Sequence, residues 1–350
     1  MNERENLLKA IRRENPDHIP YSITLCDSLI NTFKEKTGSN DYMEYFNLPY
    51  RYVGPGESKK SIDYMKYYKN LPKGTFLDGW GVARVPGSVA HFTKMIHPMM
   101  EFTTPEEVRE YPFPDLLDDY RWQGFEKKVQ KIQEMGLAAV YFAIHIFEYA
   151  WYLRGLENLL MDMMTDEDMA SACLDKMTDI QCKLAQRLAK GGVDIIIYGD
   201  DVGAQHSMMI NPELWRNWLK PTMKKAINAA KSIKPDLIAV YHSDGVIYEI
   251  IPDLIEIGVD VLNPVQPECM NPILINKLYG DKLSFWGTIG TQTTMPFGNP
   301  GDVEAAVKLM AEEVGKGGGL VIAPTHLLEP EVPWENIEVF IEAVQKYGKY

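Results

Sequence analysis

The chain of 350 residues is poor in cysteine, has no apolar run long enough to cross a membrane, and carries fewer basic than acidic side chains. Its four cysteines, Cys26, Cys173, Cys182 and Cys269, lie far apart with no CxxC pair, which argues against a disulfide framework and against a sulfur-rich metal site. With 36 Lys and Arg against 49 Asp and Glu, the formal net charge is −13. This charge disfavours binding to nucleic acid or to an anionic membrane, so small molecules or a protein partner are expected.

Several common motifs are also missing. The sequence contains no Walker A motif, no Rossmann fingerprint and no Ser-His-Asp nucleophile elbow. The glycines of KGGGL (316–320) precede a predicted strand and not a helix, so we expect a tight turn there and not a phosphate site. The first twenty residues are charged throughout, without a signal-peptide segment, and a cytoplasmic location is expected. Because no linker divides the chain, residues 1–350 are predicted to form one domain.

From about residue 138 onward, apolar runs alternate with amphipathic helical segments, which is typical of repeated βα units. The predicted strands are Ala138–Ile144, Val193–Tyr198, Leu237–Tyr241, Val259–Leu262, Leu283–Trp286 and Leu320–Ala323. With Ile19–Thr24 as an earlier strand, they predict an α/β fold, a single (β/α)8 TIM-type barrel, with one strand unplaced. Residues 38–122 do not follow the repeat. They are predicted to form an irregular N-terminal elaboration over the barrel mouth, with a hairpin region at 77–98.

Polar side chains follow most of the predicted strands: His145, Glu148, Asp200, Asp201, His242, Asp244, Gln266, Thr288 and His326. They should converge, because the carboxyl ends of all barrel strands meet at one face. A His-x-Asp pair such as His242 and Asp244 can bind a divalent metal, or the carboxylate can orient the imidazole. In isolation, His242 would be interpreted as a capping or core histidine. Its place after a buried strand, with His326 after the last strand, favours the functional interpretation.

For each acidic or aromatic candidate, a purely structural role is the alternative to a role in the site. Of the adjacent Asp200 and Asp201, we expect one to cap a helix and one to face the site. Glu148 lies among apolar residues, where burial would raise its pKa and suit it to donating a proton; a salt bridge to Arg154 is an equal alternative. Trp80, Tyr149, Trp151 and Tyr152 are candidates for the wall of an apolar pocket, although most such residues are ordinary core.

Five segments resemble the uroporphyrinogen decarboxylase superfamily in order and spacing, over nearly the full length of the chain. They are RENLLKAIRRENPDHIP, FEYAWYLRGLENLLMDM, YGDDVGAQHSMMINPELWRNWLKP, YHSDGVIYEIIPDLIEIGVDVLNPVQ and PTHLLEPEVPWENI. The resemblance implies a (β/α)8 barrel with its site at the carboxyl face. The superfamily includes decarboxylases of the haem pathway and methyltransferases that work with corrinoid proteins. True decarboxylases carry an Arg-rich segment similar to RQAGRYLPEY that grips the tetrapyrrole carboxylates, whereas the corresponding YSITLCDSLINTFKEKTG has no arginine.

The resemblance to the corrinoid-linked branch that handles thiols implies zinc held by a His-x-Cys motif and a distant Cys. The matching positions here are His242-Ser243-Asp244 and His326, so the zinc ligands implied are His242, Asp244 and His326. This set lacks sulfur and suits thiolate activation less. We therefore expect an O-demethylase type of methyltransferase. It would take a methyl group from a small methylated donor, such as a methoxylated aromatic or a methylamine, and give it to the cobalt of a corrinoid (cobalamin) protein.

Each site residue has an expected role in this hypothesis. The expected catalytic residues are Glu148, His242 and Asp200, and the expected substrate-binding residues are Asp201, Gln266, Trp80, Tyr149 and Trp151. The expected partners are a small-molecule methyl donor and a separate corrinoid protein that docks at the barrel mouth, and a homodimer is an open alternative to a monomer. A uroporphyrinogen-type decarboxylase is the alternative function.

Overall fold

A computed structural model describes residues 1–87 and 93–350 of the chain. Its strands are β1 (Tyr50–Tyr52), β2 (Phe76–Leu77), β3 (Ala83–Pro86), β4 (Thr93–Ile96), β5 (Ala138–Phe142), β6 (Ile195–Gly199), β7 (Ile238–His242), β8 (Val261–Asn263), β9 (Ser284–Trp286) and β10 (Leu320–Val321).

The helices alternate with the strands in the second half of the chain, as the sequence predicts. They are α1 (Glu3–Arg12), α2 (Asp27–Thr37), α3 (Tyr42–Tyr45), α4 (Pro105–Glu110), α5 (Phe125–Glu134), α6 (Ile146–Arg154), α7 (Leu156–Thr165), α8 (Glu167–Lys190), α9 (Pro212–Lys231), α10 (Ile251–Glu256), α11 (Pro272–Tyr279), α12 (Thr294–Phe297), α13 (Pro300–Glu313) and α14 (Trp334–Tyr347). Short 3-10 helices occur at Met65–Tyr67, Asp119–Trp122 and Tyr248–Ile250. Within the described ranges, no helix is both long enough and apolar enough to span a bilayer.

Seven strands form one parallel sheet in the order β1-β5-β6-β7-β8-β9-β10. The predicted first strand lies beyond β10: the Ser22 N–H donates to the Ile322 carbonyl at 3.0 Å, and the Ile322 N–H donates to the Pro20 carbonyl at 2.9 Å. On its other side, the Ser22 hydroxyl lies 2.7 Å from the Tyr50 hydroxyl of β1. Residues 19–24 therefore occupy the eighth position of the ring, and the predicted α/β barrel is confirmed.

The strand that the sequence leaves unplaced is β1. The prediction that all of residues 38–122 form an elaboration is wrong for residues 50–52, because they belong to the barrel. Tyr50–Tyr52 pairs in parallel with β5, with Tyr50 opposite Ala138. The strand has only three residues and carries Arg51 between its two tyrosines. It therefore lacks the apolar run that marks the other buried strands.

The rest of the elaboration contains a three-stranded antiparallel sheet, β2-β3-β4. Arg84 of β3 lies over the ring of Tyr152 in α6, 5.3 Å from its centroid, and the segment after β4 also contacts α6. The Met99 N–H donates to the Leu153 carbonyl at 2.9 Å, and the His97 Nδ1 lies 2.8 Å from the Tyr152 carbonyl oxygen. Residues 88–92, which connect the predicted hairpin, lie outside the described residues. This sheet therefore contacts the helix that begins at the carboxyl end of β5.

Two apolar cores hold the barrel together. One fills the space between the sheet and the surrounding helices. The other lies inside the barrel and includes Leu7, Leu8 and Ile11 of α1. The Arg4 guanidinium donates to Asp194, just before β6, at 3.0 and 2.7 Å. Helix α1 thus plugs the amino end of the barrel and leaves the carboxyl end open for a site.

The glycine run before β10 forms the tight turn that the sequence predicts. Gly317, Gly318 and Gly319 have φ of 85°, 97° and 86°, which only glycine adopts without strain. A Cβ on Gly319 would also lie 2.5 Å from the Arg13 guanidinium. The run serves the chain reversal between α13 and β10.

The burial of α1 side chains inside the barrel leads to a prediction about stability. Leu7→Ala should lower the free energy of unfolding by about 2–5 kcal/mol, because Leu7 is fully buried and its loss leaves a cavity inside the barrel. Chemical denaturation measures the difference. The matched control is Leu278→Ala in α11, whose side chain is half exposed, with an expected loss of about 0.5 kcal/mol or less. Equal losses for the two variants would contradict the assigned role of α1.

Candidate functional site

Polar side chains from the ends of β6 and β7 meet at the carboxyl face, where we call Asp201, His242 and Asp244 the outer group. One ligand-type atom from each of the three lies within 4.8 Å of the others. The His242 Nε2 is 3.7 Å from an Asp201 oxygen, and the same oxygen accepts the Asp244 N–H at 2.9 Å. The predicted convergence of distant segments is therefore present in the structure.

Asn263 fixes the orientation of the His242 ring. The two residues are opposite each other on the neighbouring strands β7 and β8. The Asn263 Nδ2 donates to the Trp286 carbonyl at 2.8 Å, so its Oδ1 faces the His242 Nδ1, 2.6 Å away. The Nδ1 therefore carries the proton and donates it to Asn263, which directs the Nε2 toward the outer carboxylates.

The charges of the outer group shift the pKa of its members. Burial alone would lower the pKa of His242, but the charges of Asp201 and Asp244 outweigh burial and raise it. Burial and the charge of Asp201 raise the pKa of the Asp244 carboxyl, against the opposing effect of His242. Both shifts favour the protonated forms because two carboxylates face one imidazole, and a bound cation would compensate the same carboxylates.

The donor set fits a divalent metal such as zinc. One imidazole and two carboxylates are ordinary zinc ligands, and three protein ligands leave a coordination position for a substrate. The Asp244 Oδ1 is buried and has no hydrogen-bond partner, as expected of an oxygen whose partner is an ion. Of the predicted zinc ligands, His242 and Asp244 belong to the group. His326 lies beside it, with its Nε2 3.9 Å from an Asp244 oxygen. Asp201, predicted to bind substrate, takes the third position.

A cavity of about 290 Å³ opens beside His242 at the carboxyl face. It is lined by Ser22, Ile23, Thr24, Tyr50, Tyr52, Phe142, Ile197, His242, Asn263, Trp286, Ala323, Pro324, Thr325, His326 and Leu327. These lining residues include hydroxyls, aromatic rings and two histidines, but no lysine or arginine. The cavity suits a small ligand without a strong negative charge.

Sequence reasoning missed the aromatic wall of this cavity. The Tyr50 ring lies 5.3 Å from that of Trp286 and 5.4 Å from that of Tyr52, and Phe142 lies 5.8 Å from His242. The two tyrosines belong to the strand that was not recognised. Their alternation around Arg51 is the signal that could have placed them on one strand.

A second cluster lies behind the outer group, and we call His145, Glu148 and Asp200 the inner group. One ligand-type atom from each lies within 4.8 Å of the others. The His145 Nδ1 is hydrogen-bonded to the Glu148 Oε2, and the Tyr152 hydroxyl donates to Glu148 at 2.8 Å. The Glu148 carboxylate also accepts the Asp201 N–H at 3.4 Å, which joins the two groups.

The structure corrects the expectations for Glu148. Burial alone would raise its pKa, but the hydrogen bond and charge of His145, with smaller effects from Tyr152 and the Asp201 N–H, outweigh burial and lower it. The raised pKa predicted for a proton donor is therefore wrong. The alternative salt bridge is also wrong, because Arg154 pairs with Asp162 at 2.8 Å.

Of the adjacent Asp200 and Asp201, Asp200 is the one that caps a helix. Its Oδ1 accepts the Glu148 N–H in the first turn of α6 at 3.0 Å. Burial and the charge of Glu148 raise its pKa well above the usual value. Asp201 faces the outer group, so the expectation of one capping and one site-facing aspartate agrees with the observed contacts.

The other predicted site residues lie outside the cavity lining. Gln266 is buried, and its Oε1 accepts the Gly245 N–H at 3.1 Å, which holds the turn after β7. The ring centroids of Trp80, in the elaboration, and Tyr149, in α6, are 4.7 Å apart, and Trp151 contacts His97. Their predicted roles in binding substrate stay predictions.

Comparison with known proteins identifies a family and several relatives. The model of the family described as uroporphyrinogen decarboxylase (URO-D) matches residues 74–347. A methylcobamide:CoM methyltransferase MtaA from Methanosarcina barkeri is 26% identical over 180 residues, which is 51% of this chain and 50% of that protein. The MtaA of Methanosarcina barkeri strain Fusaro is 24% identical over 180 residues, again 51% of this chain and 50% of that protein. The chain thus spans about half the length of the curated relatives it matches.

Among solved structures, a methyltransferase from Methanosarcina mazei matches 99% of this chain and 99% of its own, with a TM-score of 0.70 and 17% identity. At this identity the match supports the fold alone. It agrees with the barrel described above.

The raised pKa of Asp200 gives a prediction for metal-free protein kept in chelator. Above the unfolded-state pKa of about 4, folded Asp200 keeps a proton that the unfolded chain has released. The free energy of unfolding therefore falls as pH rises. Asp200→Asn cannot titrate, so its stability relative to the parent chain should increase with pH above about 4. Urea denaturation at several pH values measures this, with the exposed Asp281→Asn as control. A difference that is independent of pH would contradict the assignment.

Proposed function

The chain belongs to the uroporphyrinogen decarboxylase family, and from this premise we propose that it is a corrinoid-dependent methyltransferase. The methyl donor is a small methylated compound of the methoxylated aromatic class, as in O-demethylases. The acceptor is the cobalt of a corrinoid held by a separate protein, which docks at the barrel mouth. The sequence similarity to methylcobamide:CoM methyltransferases supports the reaction class.

The proposal rests on the position of the outer group at the wall of a cavity. Among the described residues that line this cavity, none is a lysine or an arginine. The group's His242 lines the cavity, and its carboxylates Asp201 and Asp244 lie within reach of the same imidazole. A cation held by these three ligands would supply a Lewis acid beside a chamber with aromatic walls and hydroxyls. A ring that bears hydroxyl and methoxy groups matches both features.

The same cavity argues against the decarboxylase alternative. A porphyrinogen carries many carboxylates, and its binding requires cationic side chains. Among the described residues that line the cavity, no lysine or arginine is present. A thiol substrate is disfavoured for a different reason, because the outer group has only nitrogen and oxygen ligands and thiolate activation favours softer sites.

In the proposed reaction the methyl carbon leaves its ether oxygen and bonds to the reduced cobalt of the partner's corrinoid, while the electron pair of the C–O bond stays on oxygen. That oxygen is a poor leaving group unless its developing charge is stabilised. A divalent cation on His242, Asp201 and Asp244 supplies this Lewis acidity when bound. The aromatic wall excludes water, and Thr325 and His326 offer polar contacts to the donor from the opposite strand end.

The remaining predicted site residues act on the outer group in this proposal. The Glu148 carboxylate accepts a hydrogen bond from the Asp201 N–H. The Gln266 side chain accepts one from the Gly245 N–H, which fixes the turn that carries Asp244. Asp200 caps α6 and so positions Glu148. These contacts keep the ligand-bearing ends of β6 and β7 in register.

The direct test supplies reduced free cobalamin and a methoxylated phenol, and follows methylcobalamin by its absorption spectrum. We expect methyl transfer by the parent protein and a loss of at least about 100-fold in His242→Ala. His18→Ala, at the amino end of the barrel, is the matched control and should keep the parent rate. Turnover of uroporphyrinogen without a corrinoid, or an unchanged rate in His242→Ala, would refute the proposal.

A second prediction concerns metal affinity. Asn263→Leu removes the acceptor that fixes the His242 tautomer, so zinc should bind about 10- to 100-fold more weakly. Competition with a chromophoric chelator measures the dissociation constant. Asn158→Leu is the control, because Asn158 contacts the Met100 carbonyl far from the cavity. Equal zinc affinities of Asn263→Leu and the parent protein would show that Asn263 has no orienting role.

A further inference from the structure

We propose that Tyr52 is a specificity-determining residue of the cavity, and that its hydroxyl binds a hydroxyl group of the methyl donor. The donor selected in this way is a methoxyphenol whose hydroxyl is remote from its methoxy group. This assignment rests on the proposed function, from which the methylated donor is taken. The contact at Tyr52 adds the feature that separates one methoxylated aromatic compound from another.

Tyr52 lies at the entrance of the cavity, at the carboxyl end of β1. It lines the cavity together with Ser22, Tyr50 and His242, and its residue surface is 47% exposed. Burial nevertheless raises the pKa of its hydroxyl, which indicates that the polar end of the side chain is turned away from bulk water. Tyr52 therefore offers a polar atom to a ligand inside the cavity.

The hydroxyls of Ser22, Tyr50 and Tyr52 form one chain of hydrogen bonds. The Ser22 Oγ lies 2.7 Å from the Tyr50 hydroxyl oxygen. Against the effect of burial, the Ser22 hydroxyl acts to lower the pKa of Tyr50, and the Tyr50 hydroxyl acts to lower the pKa of Tyr52. This is the effect of a hydrogen-bond donor on its acceptor. The chain thus runs from Ser22 through Tyr50 to Tyr52.

A chain of this kind leaves one proton for a ligand. Three hydroxyls carry three protons, whereas two hydrogen bonds within the chain use only two of them. Ser22 and Tyr50 are 4% and 1% exposed, so the half-exposed Tyr52 is the end that a ligand reaches. Its hydroxyl is oriented by Tyr50 and is left to donate to an oxygen of the donor.

The charge around Tyr52 favours a neutral partner. Burial raises the pKa of both Tyr50 and Tyr52, so both hydroxyls stay protonated at neutral pH. Among the described residues that line the cavity, none supplies the positive charge of a lysine or arginine. A phenol hydroxyl can accept the Tyr52 proton without carrying a charge into the cavity, whereas a carboxylate would lose hydration without a cationic partner.

Tyr52 and the outer group lie on different sides of the cavity. Around the barrel, β1 is followed by β5, β6 and β7, so His242 is three strands away from Tyr52 among the eight ring positions. A flat aromatic donor between them presents its methoxy oxygen to the outer group and a hydroxyl at its other end to Tyr52. The Tyr50 ring, 5.4 Å from that of Tyr52 and 5.3 Å from that of Trp286, forms part of the wall that such a donor contacts.

Calorimetric titration tests the inference without any methyl transfer. The full chain, with Zn²⁺ and without cobalamin, is titrated with 4-methoxyphenol and with methoxybenzene. We expect the parent protein to bind 4-methoxyphenol about 5- to 10-fold more tightly, because only this ligand offers a partner to the Tyr52 hydroxyl. In Tyr52→Phe the preference should disappear, while the affinity for methoxybenzene stays within about twofold. Tyr198→Phe is the matched control, because Tyr198 is buried in the core outside the barrel and should keep the parent preference.

Every outcome supports or overturns the role of Tyr52. Equal affinities of the parent protein for the two ligands would overturn it, and this comparison decides even if Tyr52→Phe does not fold by circular dichroism. A preference of the same size in folded Tyr52→Phe would also overturn it, since the phenol would then bind elsewhere, for example to the metal. Tighter binding of 4-methoxybenzoate than of 4-methoxyphenol by the parent protein would contradict the neutral partner.

The same measurements separate this inference from the proposed function. Absence of methyl transfer to cobalamin, with the preference for 4-methoxyphenol intact, would count against the methyltransferase and leave the contact at Tyr52 in place. Methyl transfer from methoxylated compounds without that preference would count against Tyr52 alone.

Discussion

The accumulation of carboxylates at the ends of three neighbouring parallel strands is the constraint on which the site depends. Glu148, Asp200, Asp201 and Asp244 lie together with two imidazoles, and the described residues provide no lysine or arginine that pairs with them. Four acids so close together cannot all be ionised without compensation. Without a cation, burial, together with the charge of neighbouring carboxylates, raises the pKa of Asp200 and of Asp244, which favours the neutral forms and so relieves the repulsion. Cation binding is the other way to relieve the same repulsion, which is why the cluster fits metal chemistry.

The barrel produces this arrangement through strand register. Gly199 lies opposite His242 on β6 and β7, and His242 lies opposite Asn263 on β8. These positions are at one level around the ring, so the residues that follow them enter the same space at the carboxyl face. The register also gives His242 its orienting partner on the adjacent strand. At the other end, α1 fills the barrel, which leaves the carboxyl face as the open end of the interior.

The sequence predicts the parts of this structure that depend on apolar periodicity. The strands from β5 to β10 and the residues after them were predicted, because each is a buried run followed by polar side chains. Two kinds of feature were not predictable. The strand Tyr50–Tyr52 is too short and too polar to show a period, so the tyrosines of the cavity wall were missed. The net pKa of Glu148 depends on His145 and Tyr152, whose approach is set by helix α6 and cannot be inferred from the apolar neighbours of Glu148 in the chain.

The measurement that tests the account most directly is an anomalous difference map at the zinc absorption edge, from crystals of the protein grown with Zn²⁺. The account predicts a peak bounded by Asp201, His242 and Asp244, about 2.0–2.1 Å from the His242 Nε2. A map without a peak at these residues, with His242 in contact only with its carboxylate neighbours, would contradict it.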